Sequence, residues 1–134
     1  MAGRTVLAIV LVLIIISVVP FVVYSVASLV TALEPSDEGS PLWFLLGIFV
    51  SKLGTAIAFV LILVLAHESI GSRWLLYGLV WLLMFAIGEI GQAIGPRYSW
   101  TFAVLGIISE AIYCPLSAYV AWRLLGTRQA AASA

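Results

Sequence analysis

Lys52, Glu89 and Glu110 are ionisable side chains set inside long apolar runs. One ammonium and two carboxylates in such places could hold a coupling ion, a proton or a substrate, or form a buried pair that fixes helix register. A charge at the centre of a bilayer costs about 2.5 to 3.5 kcal/mol on insertion scales, so these groups must face inward and find partners. In FAIGEIGQAIGP, 85–96, Gln92 follows Glu89 by three residues, which places both on one face of a helix. The helical rise puts Lys52 and Glu110 roughly 15 Å from the outer ends of their segments, and Glu89 roughly 8 Å. The expected arrangement pairs Lys52 with Glu110 and leaves Glu89 beside Gln92 nearer the outer mouth. Tyr24 and Tyr113 complete the expected polar cluster. Two acids against one base leave one charge unmatched. One carboxyl is therefore expected to hold its proton, and Glu89, being shallower, is the better candidate for the ionised partner.

The elements that position these residues are four apolar segments, at about 6–33, 42–66, 74–94 and 100–125. Each is long enough to cross a hydrocarbon core, which takes about 20 helical residues. The joints EPSDEGSP, HESIGSR and GPRYS carry the Gly, Pro and Ser chemistry of turns. Pro20 lies inside the first segment and is expected to kink it. Arg4 and the apolar run after it suit a signal peptide, but the run is too long and lacks a prompt cleavage region, so an uncleaved anchor is expected. Packing faces are legible too. Ala103, Gly106, Glu110, Cys114 or Tyr113, Ser117 and Ala121 recur at spacings of three and four. Ser17, Pro20, Tyr24, Ser28 and Thr31 do so in the first segment, and Gly47, Ser51 and Thr55 in the second. Small and polar stripes of this kind are the usual contact faces of membrane helices. Gly88, Gly91 and Gly95 are expected to let a neighbour close around Glu89.

Composition sets the class. Of 134 residues, 64% are hydrophobic and only 9% charged, far below the quarter or so of a soluble domain. The expected fold is an all-α integral membrane protein, one domain of four transmembrane helices. Short joints imply an up-down-up-down antiparallel bundle. Arg4, Arg73, Arg123 and Arg128 then share one side, against Arg97 and the acidic loop Glu34, Asp37 and Glu38 on the other. The positive-inside rule places both termini in the cytoplasm and the protein in the cell membrane. Trp43, Trp74, Trp100 and Trp122 sit at segment ends, where amphipathic rings favour the interface; Trp81 does not.

The formal net charge of zero gives no case for nucleic acid. A single cysteine, Cys114, excludes an internal disulfide, and a single histidine, His67, argues against a metal centre or a histidine-ligated haem. No cofactor is expected. No phosphate loop, nucleophile elbow or HExxH occurs. Ser69, His67 and Glu68 are adjacent at a segment end, with nothing to order them as nucleophile, base and orienter. A non-enzyme is expected.

Two functions fit. The first is a non-catalytic accessory or structural subunit of a membrane assembly, in which a partner supplies the missing charge. The alternative is a small oligomeric ion- or proton-coupled transporter using Lys52, Glu89 and Glu110. In length and hydropathy the four segments resemble the small multidrug resistance transporters. That family's functional carboxylate lies in its first helix, and here no acid precedes Glu34. None of its residues carries over. The expected partners are the lipid bilayer and either further copies of the chain or a larger complex.

Overall fold

A computed structural model of the chain describes residues 2–31, 41–96 and 98–126. The acidic loop, Arg97 and Arg128 lie outside these residues. The regular elements of the described residues are all helices: α1 Ala2–Ser28, α2 Pro41–Leu65, α3 His67–Ile70, α4 Trp74–Ile94 and α5 Trp100–Gly126. Four helices are long and apolar enough to cross a membrane: Ala2–Ser28, Leu45–Leu65, Trp74–Ile94 and Trp100–Gly126.

The helices end where local chemistry stops the hydrogen-bond ladder. Gly95 after α4 is extended, its N–H bonds back to Gln92 at 3.0 Å, and Pro96 follows. The joint HESIGSR does not turn from its first residue, as its composition suggests. Instead the ladder continues, with Ala66 N–H on Ile62 at 2.9 Å and Ile70 N–H on Ala66 at 2.8 Å. The reversal comes only at Gly71, whose φ of 51° is costly for any residue with a Cβ. Trp122 of α5 donates its indole N–H to the Gly71 carbonyl at 2.9 Å and ties the turn down. Pro20 and Pro115 lie inside α1 and α5, and neither ends its helix.

Helix α5 packs against both α4 and α1, and α1 also packs against α2. Its buried face comprises Ala103, Gly106, Ser109, Glu110, Tyr113, Cys114, Ser117, Ala118 and Ala121. Small side chains let the neighbouring backbones come close. The backbones approach closely at Gly78 of α4, where a Cβ would lie 3.0 Å from Pro115 Cα and 3.1 Å from Ala118 Cβ. Gly88 and Gly91, expected to serve as close approaches, face open space. They lie on the side of α4 turned away from α5.

The apolar core gathers at the end that carries α3. There Ala8, Val12 and Ile16 of α1 meet Phe59, Val60 and Leu63 of α2, with Tyr77, Ala118 and Ala121. The Tyr77 hydroxyl donates to the Phe59 carbonyl. Trp81, the tryptophan away from a segment end, belongs to an aromatic row, its ring 5.1 Å from Phe59 and 5.5 Å from Phe85. Toward the other end, the first half of α2 stands apart: Leu42, Trp43, Leu45, Leu46, Ile48, Phe49 and Val50 are all exposed.

Candidate functional site

The polar residues collect on the half of α5 nearest the α4–α5 joint and adjoin the apolar core, to which Tyr113 and Cys114 belong. Glu110 is buried, 5% exposed, and its Oε2 has no hydrogen-bond partner. It sits on the inner face because it continues the register of Ala103 and Gly106 on one side and Cys114 and Ser117 on the other. A carboxylate oxygen is an obligate acceptor, so an oxygen left bare in such a place is a costly state.

Glu89 reaches the same face from α4. Its carboxylate is seated on the bare backbone of Gly106. A Cβ there would lie 2.7 Å from Glu89 Cδ, 2.8 Å from Oε2 and 3.0 Å from Oε1. Tyr98, in the joint, donates its hydroxyl to Glu89 Oε2 at 2.6 Å. Burial first, and then the bond to this carboxylate, hold the Tyr98 phenol well above its ordinary pKa.

Tyr24 arrives from α1 and donates to the Phe102 carbonyl at 3.2 Å. Its ring lies 6.0 Å from the Phe102 ring, which in turn lies 6.1 Å from that of Tyr98. These three rings form an aromatic wall over the joint end of the cluster. On the deeper side, Lys52 of α2 places its Nζ 5.4 Å from the centre of the Tyr113 ring. Tyr113 is buried, with Phe85 against its own ring at 6.2 Å.

Among the described residues no ion pair joins Lys52 to Glu110. The ammonium rests on the π face of Tyr113, a cation–π seat, while Glu110 Oε2 stays bare. Lys52, Glu89 and Glu110 still act on one another electrostatically. Depth alone matches Lys52 with Glu110. Helix rotation decides otherwise, because α2 touches α5 much less than α1 and α4 do.

Of the residues singled out from the sequence, Tyr24, Lys52, Glu89, Glu110 and Tyr113 fall in this region. Gln92 does not: it is exposed, and in the cap it contributes only its backbone carbonyl. Two residues at the heart of the arrangement carry no signal of their own in the sequence. Tyr98 lies in GPRYS, which reads only as a turn, and Gly106 reads as one small residue in a packing stripe. A spacing of nine between Glu89 and Tyr98 has no helical meaning across a turn.

The site has oxygen atoms but few metal ligands. Among the described residues, no three of His, Cys, Asp and Glu converge. Cys114 is a free, buried thiol beside this face. An open cavity of about 400 Å³ is lined by Trp43, Gly47, Ile48, Ser51 and Lys52 on the exposed half of α2. Comparison with protein-family models, curated proteins and solved structures finds no match for this chain.

Proposed function

We propose that the chain is a multi-pass membrane protein serving as a non-catalytic accessory subunit, and that a transmembrane helix of its partner lies along α2. The observation that carries this reading is the exposed stripe of Gly47, Ser51 and Gly54 on α2. Apolar exposure is ordinary for a helix in lipid. Exposed glycine and serine at helical spacing are not, since lipid offers them no packing that Leu or Val would not improve on. A Cβ at Gly47 or Gly54 would meet no atom within 4 Å, so nothing among the described residues requires either glycine. Glycines without an internal reason are the ones a neighbouring helix would use for close approach. The cavity of about 400 Å³ beside Gly47 and Ser51 gives large side chains of that neighbour a place to enter.

The topology that suits this role is up-down-up-down, with both termini cytoplasmic. It is supported by the pairing of Gly78 with Pro115 and of Glu89 with Gly106, which run in opposite chain directions. The distribution of Arg4, Arg73 and Arg123 against Arg97 supports the orientation.

The test is the mass of the intact particle after extraction from its native membrane in mild detergent. The expected result is a stoichiometric foreign partner that is lost when Gly47→Trp and Gly54→Leu are introduced together, while the chain keeps its own helical content. A lone chain, or an assembly of this chain only, overturns the accessory role.

A further inference from the structure

We propose that Glu89 and Glu110 together form a proton-binding site that opens toward the α4–α5 joint and is closed at its other end. The proposal stands on the geometry of the carboxylates and is independent of the accessory role. Four residues along α5 separate Gly106, on which the Glu89 carboxylate rests, from Glu110, a helical rise of about 6 Å. Both residues lie on the buried face of α5.

The titratable and charged groups facing the pair can be named from every side. Among the described residues they are Tyr24 from α1, Lys52 from α2, Tyr98 from the joint, and Tyr113 and Cys114 on α5 itself. The one cation among them is Lys52, and its ammonium is seated over the Tyr113 ring. Two ionised carboxylates would therefore leave, among the described residues, one uncompensated negative charge in a buried place. Glu110 Oε2, without a partner and on a side chain 95% buried, is where the missing positive charge belongs. A divalent ion would need more ligands than the described residues bring together. A proton needs no cavity and converts an unmet acceptor into an acid.

Access is at the joint end. Tyr98 and Glu89 lie at the joint end, with Tyr98 only partly buried. Beyond Glu110, the fully buried side chains of Val60, Leu63, Ala118 and Ala121 close the other end. In the binding step an acid in solvent gives its proton to a Glu89 oxygen. A water entering from the joint takes up that proton and gives one to Glu110, and Glu89 returns to carboxylate. The net change is one Glu110 carboxylate made neutral.

Infrared difference spectra of the protein in phosphatidylcholine vesicles, stepped across roughly pH 5 to 9, test this. The expected result is a carboxylic-acid C=O band that grows on acidification. Glu110→Gln removes it, Glu89→Gln slows its appearance several-fold, and Glu68→Gln, on exposed α3, leaves it unchanged. A band that survives Glu110→Gln, or the absence of any titrating band, overturns the proposal. Should Glu110→Gln fail to fold, Glu110→Asp is read instead: the band must shift in frequency, and an unshifted band is equally fatal.

Discussion

Replacing Gly106 by alanine is the most direct probe of how α5 holds Glu89. The new Cβ would stand 2.7 Å from Glu89 Cδ and 2.8 Å from its Oε2, inside any allowed contact. The atoms it meets are the far end of a flexible side chain, so the carboxylate swings away and the helices stay in place. What is lost is the bond from Tyr98, now 2.6 Å long. A hydrogen bond to a charged group contributes about 1.5 to 3 kcal/mol. Alanine returns at most about 1 kcal/mol over glycine in a helix interior. The expected net loss is roughly 0.5 to 2 kcal/mol. In a Glu89→Ala background there is nothing to displace, and the same substitution should be neutral or stabilising by up to about 1 kcal/mol. The sign of the effect therefore depends on a residue of another helix. Reversible unfolding in mixed micelles, followed by tryptophan fluorescence, gives the four stabilities of the cycle. An effect of the same sign and size in both backgrounds would refute the seating of Glu89 on Gly106.

The α4–α5 contact predicts a contrast between glycines of one helix. Gly78→Ala drives a Cβ toward the Pro115 backbone and should cost about 1 to 3 kcal/mol through forced separation of the helices, whereas Gly91→Ala, in open space, should not destabilise the isolated chain. Equal unfolding midpoints for the two variants would contradict the described packing. A separate prediction concerns alkaline pH. The Tyr98 phenol ionises near its ordinary pKa of 10.0 when unfolded, but keeps its proton to higher pH when folded. Its contribution to stability is thus complete below pH 10.0 and is lost progressively as pH rises above it. Tyr98→Phe cannot ionise and should remove part of the alkaline fall in unfolding midpoint, measured from about pH 9 to about pH 12; an unchanged slope would place the phenol elsewhere.

Much of the candidate site is legible in the sequence, and the gaps have one cause. Glu110, Tyr113, Gly106 and Ser117 share a face because they share a helix, and the 3.6-residue period is local information. The same logic assigns Gln92 to the face of Glu89, and there it fails. Residues three apart on a helix are offset by about 60°, enough for Glu89 to turn toward Gly106 while Gln92 remains exposed. The glycines of α4 show the same limit. Gly78, Gly88 and Gly91 are alike as letters, and only the rotation of α4 against α5 selects Gly78 as the close approach. The short α3 is hidden for a different reason: His67, Glu68, Ser69 and Ile70 have no strong preference, and an existing ladder from α2 carries them one turn further.

By itself the sequence determined the four long apolar helices and the placement of three ionisable residues within them, although the first helix ends at Ser28, short of the expected 33. Those properties follow from composition and from a periodicity that each segment carries alone. Tertiary structure decided which neighbours the ionisable groups meet. It set Lys52 over Tyr113, gave Glu89 the hydroxyl of Tyr98 and the open backbone of Gly106, and left Glu110 with a bare oxygen. Each of these depends on the rotation of one helix about its axis relative to another. That rotation is fixed by how small and large side chains interdigitate along the whole contact, which no single segment specifies.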